Sequence, residues 1–155
     1  MTSIKPLQST DHELSGQFVT FYVGDLMFGV DVMQVQEIIR YQEMTPVPLS
    51  SEVVEGLINL RGQIITAIDL RRRLGLESLE PDSKPMNVVV RSEGEVVSFL
   101  VDRIGDVIEV ESQDFEHAPT TLDDQAFNLV KGVYKLNREL LLALDVKEAA
   151  DVRSL

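Results

Sequence analysis

The sequence predicts an all-β protein built from two five-stranded barrels that pack together, with a few short helices. Short apolar runs are separated by turn dipeptides such as Gly24-Asp25 and Glu93-Gly94, which is the pattern of β-hairpins. The same succession of runs occurs twice along the chain. Because closing a small sheet removes its unpaired edges, about five short strands in each copy favour two barrels over one open sheet.

The first copy begins with a hairpin and a helix start. Phe18–Val23 and Leu26–Val30 flank the turn at Gly24-Asp25. Asp31 follows as a helix N-cap, with Gln34 three residues on as its capping-box partner.

Two structures compete for the residues after Asp31. In one, Val32–Tyr41 is a single amphipathic helix. In the other, one helical turn leads into a strand from Glu37 to Val47. In the second copy Gly105 falls just after the equivalent aspartate, where it would weaken a long helix by about 1 kcal/mol. The short turn followed by a strand fits both copies and is the structure that we expect.

An internal repeat relates the two copies. Gly56–Asp69 corresponds to Gly132–Asp145 at a constant offset of 76 residues, and Val30-Asp31 corresponds to Val101-Asp102 at an offset of 71. The identical pairs are Gly56 and Gly132, Leu60 and Leu136, Ala67 and Ala143, Asp69 and Asp145, and, upstream, Pro48 and Pro119.

Composition along the chain predicts the boundaries. Residues 1–15 show no periodicity and are expected to form a mobile tail. Residues 16–147 are expected to form one domain of two barrels, about 16–80 and 86–147, with strand exchange between them left open. The charged segment Leu79–Pro85 is the predicted linker, and residues 148–155 the predicted C-terminal tail. The strands of the second copy are expected at Met86–Arg91, Glu95–Asp102, Val107–Val110 and the hairpin that ends at Asp145.

Two runs are apolar on both faces of the strand that they form, Val88-Val89-Val90 and Leu140-Leu141-Leu142. A strand that is buried on both sides needs a cover on each. The barrels therefore pack on each other, or another chain covers one face. The residues predicted to line the interface between the barrels are Val89, Leu100, Ile65 and Leu141.

Composition excludes several classes of protein. Apolar residues make up 44% of the 155 residues, too many for a disordered chain, and no apolar run approaches the roughly 20 residues that span a bilayer. The net charge of −12 argues against a nucleic-acid or anionic-membrane surface. Without cysteine there is no disulfide framework and no thiolate zinc site, which fits a cytosolic protein. The N-terminus lacks the pattern of a secretion signal.

Enzymatic chemistry has little support in the sequence. The histidines are His12 and His117, and none of the common nucleophile, phosphate-loop or zinc motifs occurs. The carboxylate pairs Asp123-Asp124 and Glu109/Glu111 suit a solvated acidic surface, and Asp123 also suits the cap of a short helix. Arg71-Arg72-Arg73 is interpreted as the solvated last turn of a helix.

The segment Gly56–Leu74 contains Arg61, whose position in a predicted hairpin indicates a candidate binding site. Arg61 lies at the tip of an otherwise apolar hairpin, and burying it without a partner would cost several kcal/mol, about 2–7 even for a neutral polar group. It is therefore exposed, or it is held by a carboxylate. Glu37, expected on the outer side of the neighbouring strand, is the candidate partner, and bidentate contact would make the pair a rigid recognition element.

These motifs resemble those of the CheW-type chemotaxis coupling proteins. The family motif G-x-x-N-L-R-G is matched by Gly56, Asn59, Leu60, Arg61 and Gly62, and V-x-E-I is matched by Val35, Gln36, Glu37 and Ile38. The resemblance extends from about Gln17 to Lys147 and includes Gly24–Asp31, Ile68–Arg71 and Val101–Val107. It implies two SH3-like barrels in a cytoplasmic adaptor that acts without catalysis, cofactor or metal.

The resemblance also implies partners and their sites. Such adaptors bind the cytoplasmic tip of methyl-accepting chemoreceptors and the regulatory domain of a CheA-type histidine kinase, in arrays at the membrane. The receptor-binding positions carried over are Val35, Glu37, Gly56, Arg61 and Val107. For the kinase, period-2 alternation places Ile38, Arg40 and Met44 on one face, which could equally be core. A pilus-motility or other chemosensory pathway, and a small-ligand-binding double barrel, are the alternatives.

Overall fold

The computed structural model describes residues 15–77, 82–119, 122 and 124–152. These ranges contain eleven strands, three short α-helices and two single 3-10 turns. The strands are β1 Gly16–Val23, β2 Leu26–Asp31, β3 Val35–Ile39, β4 Val54–Leu60, β5 Gln63–Asp69, β6 Met86–Ser92, β7 Glu95–Val101, β8 Arg103–Val110, β9 Phe115–Glu116, β10 Val130–Lys135 and β11 Leu140–Leu144. The α-helices are α1 Leu70–Arg73, α2 Asp124–Asn128 and α3 Val146–Ala150, and the 3-10 turns are Val32–Gln34 and Ser112–Asp114.

The short turn predicted after Asp31 is confirmed. The carboxylate of Asp31 accepts a hydrogen bond from the backbone N–H of Met33 at 2.8 Å, and the 3-10 turn Val32–Gln34 leads directly into β3. The strand is shorter than predicted, because β3 ends at Ile39. The chain rejoins a sheet only at Thr45, which pairs with Leu57 of β4.

The strands form two sheets, and each takes strands from both copies of the repeat. The strand order is β8-β1-β2-β11-β10-β9 in the first sheet and β3-β6-β7-β5-β4 in the second. The hairpin β1–β2 therefore lies beside β8–β11 of the second copy, and the hairpin β6–β7 lies beside β3–β5 of the first. The bounds about 16–80 and 86–147 do not delimit the individual barrels, because the copies exchange their first hairpins, which is the strand exchange that the sequence had left open.

Both sheets close into barrels in the same way. In the second sheet, the chain leaves edge strand β3 and returns at Thr45 to pair with edge strand β4. In the first sheet, the chain leaves edge strand β8 and returns as β9, where Glu116 pairs with Val133 of β10. Thr45 and Glu116 are related by the offset of 71 residues, and Leu57 and Val133 by the offset of 76. The predicted all-β fold of two five-stranded barrels is confirmed, with β8 and β9 as one interrupted strand.

Apolar side chains form three clusters. The shared core lies between the barrels and takes residues from both, including Phe28 and Leu142 of the first and Val88, Val90 and Phe99 of the second. The first-barrel core is formed by Phe18, Met27, Val110, Tyr134, Leu141 and Ala143, and the second-barrel core by Ile58, Ile65 and Val89.

The prediction that the doubly apolar runs pack between the barrels is right for Val88, Val90 and Leu142, but the interface residues were placed on the wrong face. Ile65, Val89 and Leu141 lie inside single barrels. Leu100 pairs with Asn87, on the same inner face as Ser98. A one-residue step exchanges the two faces of a strand, and a run that is apolar on both faces does not show which one faces the partner barrel.

The C-terminal boundary at residue 147 is also wrong. Helix α3 continues to Ala150, and Ala149 is fully buried in the shared core. Asp145 caps this helix by accepting from the backbone N–H of Glu148 at 3.1 Å. Outside the described residues lie residues 1–14 of the predicted tail 1–15, part of the predicted linker Leu79–Pro85 and the predicted cap Asp123. In the part of the chain that is described, no helix is long and apolar enough to cross a membrane.

Candidate partner-binding site

The hairpin β4–β5 ends in a two-residue turn in which a non-glycine residue, Arg61, has a positive φ angle. Leu60 pairs with Gln63, and Arg61 and Gly62 between them have φ angles of 52° and 87°. The side-chain oxygen of Asn59 accepts a hydrogen bond from the backbone N–H of Gly62 at 2.9 Å. The left-handed conformation costs a non-glycine residue about 1–2 kcal/mol, so the turn holds Arg61 at the expense of some backbone strain.

The predicted ion pair between Arg61 and Glu37 is confirmed. The Nη2 atom of Arg61 contacts the Oε2 atom of Glu37. The contact is a single one and not the expected bidentate pair. The Arg61 side chain remains 70% exposed and that of Glu37 only 22%. Glu37 therefore anchors one end of the guanidinium and leaves the rest facing solvent.

The ion pair lies across the seam of the second barrel. Glu37 is on edge strand β3, and Arg61 follows edge strand β4. Glu37 pairs with Val89, whose side chain lies in the second-barrel core. Since directly paired residues point to the same face, Glu37 lies at the mouth of the barrel on its inner side, not on the outer side as predicted.

Val35 and Val107 occupy matching places in the two barrels. Val35 on β3 pairs with Val90, and Val107 on β8 pairs with Val19. Val19 and Val90 are related by the repeat offset of 71 residues. Val35 is half-buried against the shared core, whereas Val107 is 56% exposed. Both valines thus lie on edge strands, with Val35 against the core that the barrels share.

Gly56 is buried beneath the segment that closes the second barrel. A Cβ atom at this position would lie 2.8 Å from the carbonyl oxygen of Thr45 and 3.0 Å from Cβ of Met44. The glycine therefore allows the returning chain to approach β4 closely, and it is itself buried.

The three positions predicted to face the kinase do not share one face. Ile38 is 37% exposed and Arg40 is exposed. Met44 instead packs against the second-barrel core together with Ile39. The predicted alternation fails because β3 ends at Ile39, so that the period of two does not continue to Met44.

A polar cluster that was not predicted from the sequence joins the barrels. Arg71 Nε donates to Asp102 Oδ1 and Arg71 Nη2 to Asp102 Oδ2, both at 2.8 Å, and the backbone N–H of Gly24 donates to Asp102 Oδ2 at 2.7 Å. The side-chain hydrogen bond with Asp102 raises the pKa of Arg71, against the opposing effect of its burial. The interpretation of the three arginines as a solvated turn is therefore wrong for Arg71. The identical aspartates at the repeat offset were the signal that could have drawn attention to Asp102.

Arg72 and Arg73 line an open polar cleft of about 910 Å³. Arg72 forms ion pairs with Glu55 at 2.7 Å and Asp69 at 3.4 Å, and Arg73 donates to the carbonyl oxygen of Glu148 at 2.8 Å. Charges of both signs line the cleft, and both arginines contact oxygen atoms of the protein, but the buried Nε atom of Arg73 has no hydrogen-bond partner among the described residues. Residues of both copies of the repeat line the cleft.

Comparison with known proteins identifies the family. The profile of the CheW-like domain matches residues 17–153. This chain belongs to the CheW-like domain family. The match reaches past the predicted boundary at residue 147, in agreement with the buried position of α3 in this CheW-like domain.

Individual relatives cover most of the CheW-like domain. The chemotaxis protein CheW of Treponema pallidum is 31% identical over 145 residues, which cover 91% of this chain and 84% of that protein. The chemotaxis protein CheW of Helicobacter pylori is 32% identical over 138 residues, covering 89% and 83%. Among solved structures, the scaffolding protein TtCheW of Thermoanaerobacter tengcongensis superposes with a TM-score of 0.80 at 26% identity, covering 91% of this chain and 96% of that one.

Proposed function

We propose that this protein is a non-enzymatic adaptor that couples methyl-accepting chemoreceptors to a CheA-type histidine kinase in chemotaxis signalling. The family membership and the relatives named as chemotaxis and scaffolding proteins support the adaptor role. The observation that carries the proposal is the exposed guanidinium of Arg61, anchored by Glu37 at the seam of the second barrel.

The receptor site in this proposal lies along the edge strands β3 and β8. Val35 and Val107 supply one apolar contact from each barrel, and Arg61 supplies a charged contact at the end of the site. An amphipathic helix laid along an apolar groove is an established mode of recognition, and a chemoreceptor tip is a helical hairpin. Glu37 orients Arg61, and Gly56 allows the barrel to close beneath Met44 and Thr45.

The kinase site in this proposal is the outer edge of the second barrel. Ile38 and Arg40 are exposed there and offer an apolar and a basic contact. Met44 supports this edge from the inside through its packing on the second-barrel core. With receptor and kinase as its partners, the adaptor works in the cytoplasm at membrane-associated receptor arrays.

Two variants test the two sites separately. Arg61→Glu reverses a charge in the receptor site, and Ile38→Asp introduces a charge in the kinase site. Binding of the purified receptor tip and of the kinase regulatory domain is measured by titration calorimetry. Arg61→Glu is expected to abolish receptor binding and to spare kinase binding, and Ile38→Asp is expected to do the reverse. Thermal unfolding should hardly change in Arg61→Glu, because an exposed ion pair contributes only about 0.2–1 kcal/mol.

Arg138→Glu is the matched control. Arg138 is exposed at the corresponding hairpin tip of the first barrel, so this variant makes the same charge change at an equivalent place. Receptor binding should survive in Arg138→Glu. Failure of the wild-type protein to bind either partner would contradict the adaptor function, and equal loss in both arginine variants would show that net charge, not the site, governs binding.

A further inference from the structure

The hydrogen bond from the backbone N–H of Gly62 to the side chain of Asn59 lies in a turn whose first residue, Arg61, is not one that usually adopts a left-handed conformation. In a two-residue hairpin loop with left-handed residues, Asn, Asp or Gly usually occupies the first position. Here Arg61 occupies it, with φ of 52°, and Gly62 follows with φ of 87°. The side chain of Asn59 is exposed and reaches from the end of β4 to the backbone N–H of Gly62.

A second turn in the same molecule shows that this bond is not required for such a turn. Glu93 and Gly94 have φ angles of 50° and 83° between the paired residues Ser92 and Glu95. The residue at the position of Asn59 is Arg91, whose side chain has no acceptor and instead donates to Gln36 at 2.9 Å. The left-handed turn thus forms without a side chain that accepts from its second residue.

We propose that Asn59 is a positioning residue for Arg61. By accepting from the backbone N–H of Gly62, Asn59 restricts the motion of the turn, so that Arg61 stays in the orientation from which its guanidinium reaches Glu37 on the opposite edge of the barrel. The exposed part of the guanidinium is then presented in one orientation to a hydrogen-bond acceptor of the partner, a carboxylate or a carbonyl oxygen. This role rests on the proposed function, since Arg61 is the residue through which Asn59 acts.

The first test follows the arginine directly and does not depend on a partner. Nuclear magnetic resonance measures the exchange of the Gly62 backbone N–H and the mobility of the Arg61 side-chain N–H groups. Asn59→Ala is expected to speed exchange at Gly62 by at least about three-fold and to make the Arg61 side chain mobile. Arg91→Ala, at the matching place beside the second turn, should change neither signal. An ordered Arg61 in Asn59→Ala would overturn the inference.

The second test uses a double-mutant cycle with the purified receptor tip. Asn59→Ala should weaken receptor binding by about two- to ten-fold, the range expected for one hydrogen bond. In the Arg61→Ala background the same change should alter binding by less than about two-fold, because Asn59 then has nothing to position. Equal effects in both backgrounds would overturn the inference and leave the proposed function standing. A wild-type protein that binds no receptor would overturn the proposed function, and the resonance experiment would still decide the role of Asn59.

Discussion

Arg71 and Asp102 form a two-point ion pair at the junction of the two barrels. Arg71 belongs to α1, which follows β5 of the second barrel, and Asp102 lies between β7 of the second barrel and β8 of the first. Asp102 also accepts from Gly24 in the β1–β2 turn of the first barrel. One carboxylate thus ties a turn of the first barrel to a helix of the second.

At the corresponding place in the repeat, the link between the barrels is only an exposed ion pair. Asp31 corresponds to Asp102, but it accepts from the nearby backbone N–H of Met33. Lys147 corresponds to Arg71, and it pairs with Glu93 at 3.2 Å on the surface, with side chains 71% and 68% exposed. The two links between the barrels therefore differ. The one at Asp102 is partly buried and has three hydrogen bonds, whereas its repeat counterpart at Lys147 is an exposed ion pair.

Asp102→Asn is expected to lower the free energy of unfolding by about 2 kcal/mol. The side chains of Arg71 and Asp102 are only 20% and 16% exposed, and hydrogen bonds to charged groups contribute about 1.5–3 kcal/mol. Urea unfolding measures the change. Glu93→Gln, which breaks the exposed counterpart, should cost at most about 0.5 kcal/mol. A loss in Asp102→Asn as small as in Glu93→Gln would contradict the tie between the barrels.

The sequence predicted elements whose cause is local. The turns at Gly24-Asp25 and Glu93-Gly94 and the cap Asp31 need only their neighbours in the chain, and each is found where it was predicted. The ion pair of Arg61 with Glu37 was also predicted, because the sequence offered Glu37 on the neighbouring strand as the candidate carboxylate for Arg61, although the side chain of Arg61 remains 70% exposed.

The exchange of hairpins could not be predicted in the same way. Both copies contain the same succession of strands, so β2 could pair with β5 of its own copy or with β11 of the other by sequence pattern alone. The structure pairs β2 with β11 and β5 with β7, in both cases in parallel. The partner is decided by packing around the shared core, which no single segment specifies. The role of Asp102 was missed for the same reason, since it depends on where the exchanged hairpin places Gly24.

The fragment Met1–Pro85 is expected not to fold cooperatively by itself. It contains β1–β5, but β1, β2, β3 and β5 each lose a neighbouring strand, namely β8, β11, β6 and β7. Circular dichroism during heating should show no cooperative transition, and mixing with a fragment of residues 86–155 should restore one. A soluble fragment with its own sharp transition would mean that the first copy can pair with itself.

Stability should fall above about pH 10 in a way that depends on Tyr134. This ring is 2% exposed and packs edge-on against Phe18 at 5.4 Å and Phe115 at 5.2 Å between ring centroids. Burial, with a smaller effect from the charge of Asp31, raises the pKa of Tyr134 above its ordinary value of 10.0. The folded protein therefore keeps a proton that the unfolded chain releases, so that the stabilisation is present below pH 10 and is lost as the pH rises through the folded pKa.

Urea unfolding measured from about pH 9 to about pH 11 tests whether the free energy of unfolding falls as the pH rises. One group contributes a fall of at most about 1.4 kcal/mol per pH unit. In Tyr134→Phe the alkaline loss of stability should be smaller than in the wild-type protein. The same loss in both proteins would show that other groups cause it.

Val107→Ala is expected to weaken binding of the receptor tip by about five- to a hundred-fold, since truncating a well-packed apolar contact costs about 1–3 kcal/mol. Because Val107 is 56% exposed in the free protein, its truncation should leave thermal unfolding nearly unchanged. Val35→Ala should weaken receptor binding by a similar factor, with an added loss of stability of about 1 kcal/mol from its packing on the shared core.

Phe127→Ala is the control for both valine variants. Phe127 is an apolar side chain with 42% exposure on α2, which is not one of the elements assigned to the receptor site, and its loss should not change receptor binding. Binding of the kinase regulatory domain should be unchanged in Val35→Ala and Val107→Ala, because that partner is assigned to Ile38 and Arg40. If Val107→Ala weakened kinase binding and spared the receptor, the two partners would exchange surfaces. If it unfolded the protein, Val107 would be a structural residue in spite of its exposure.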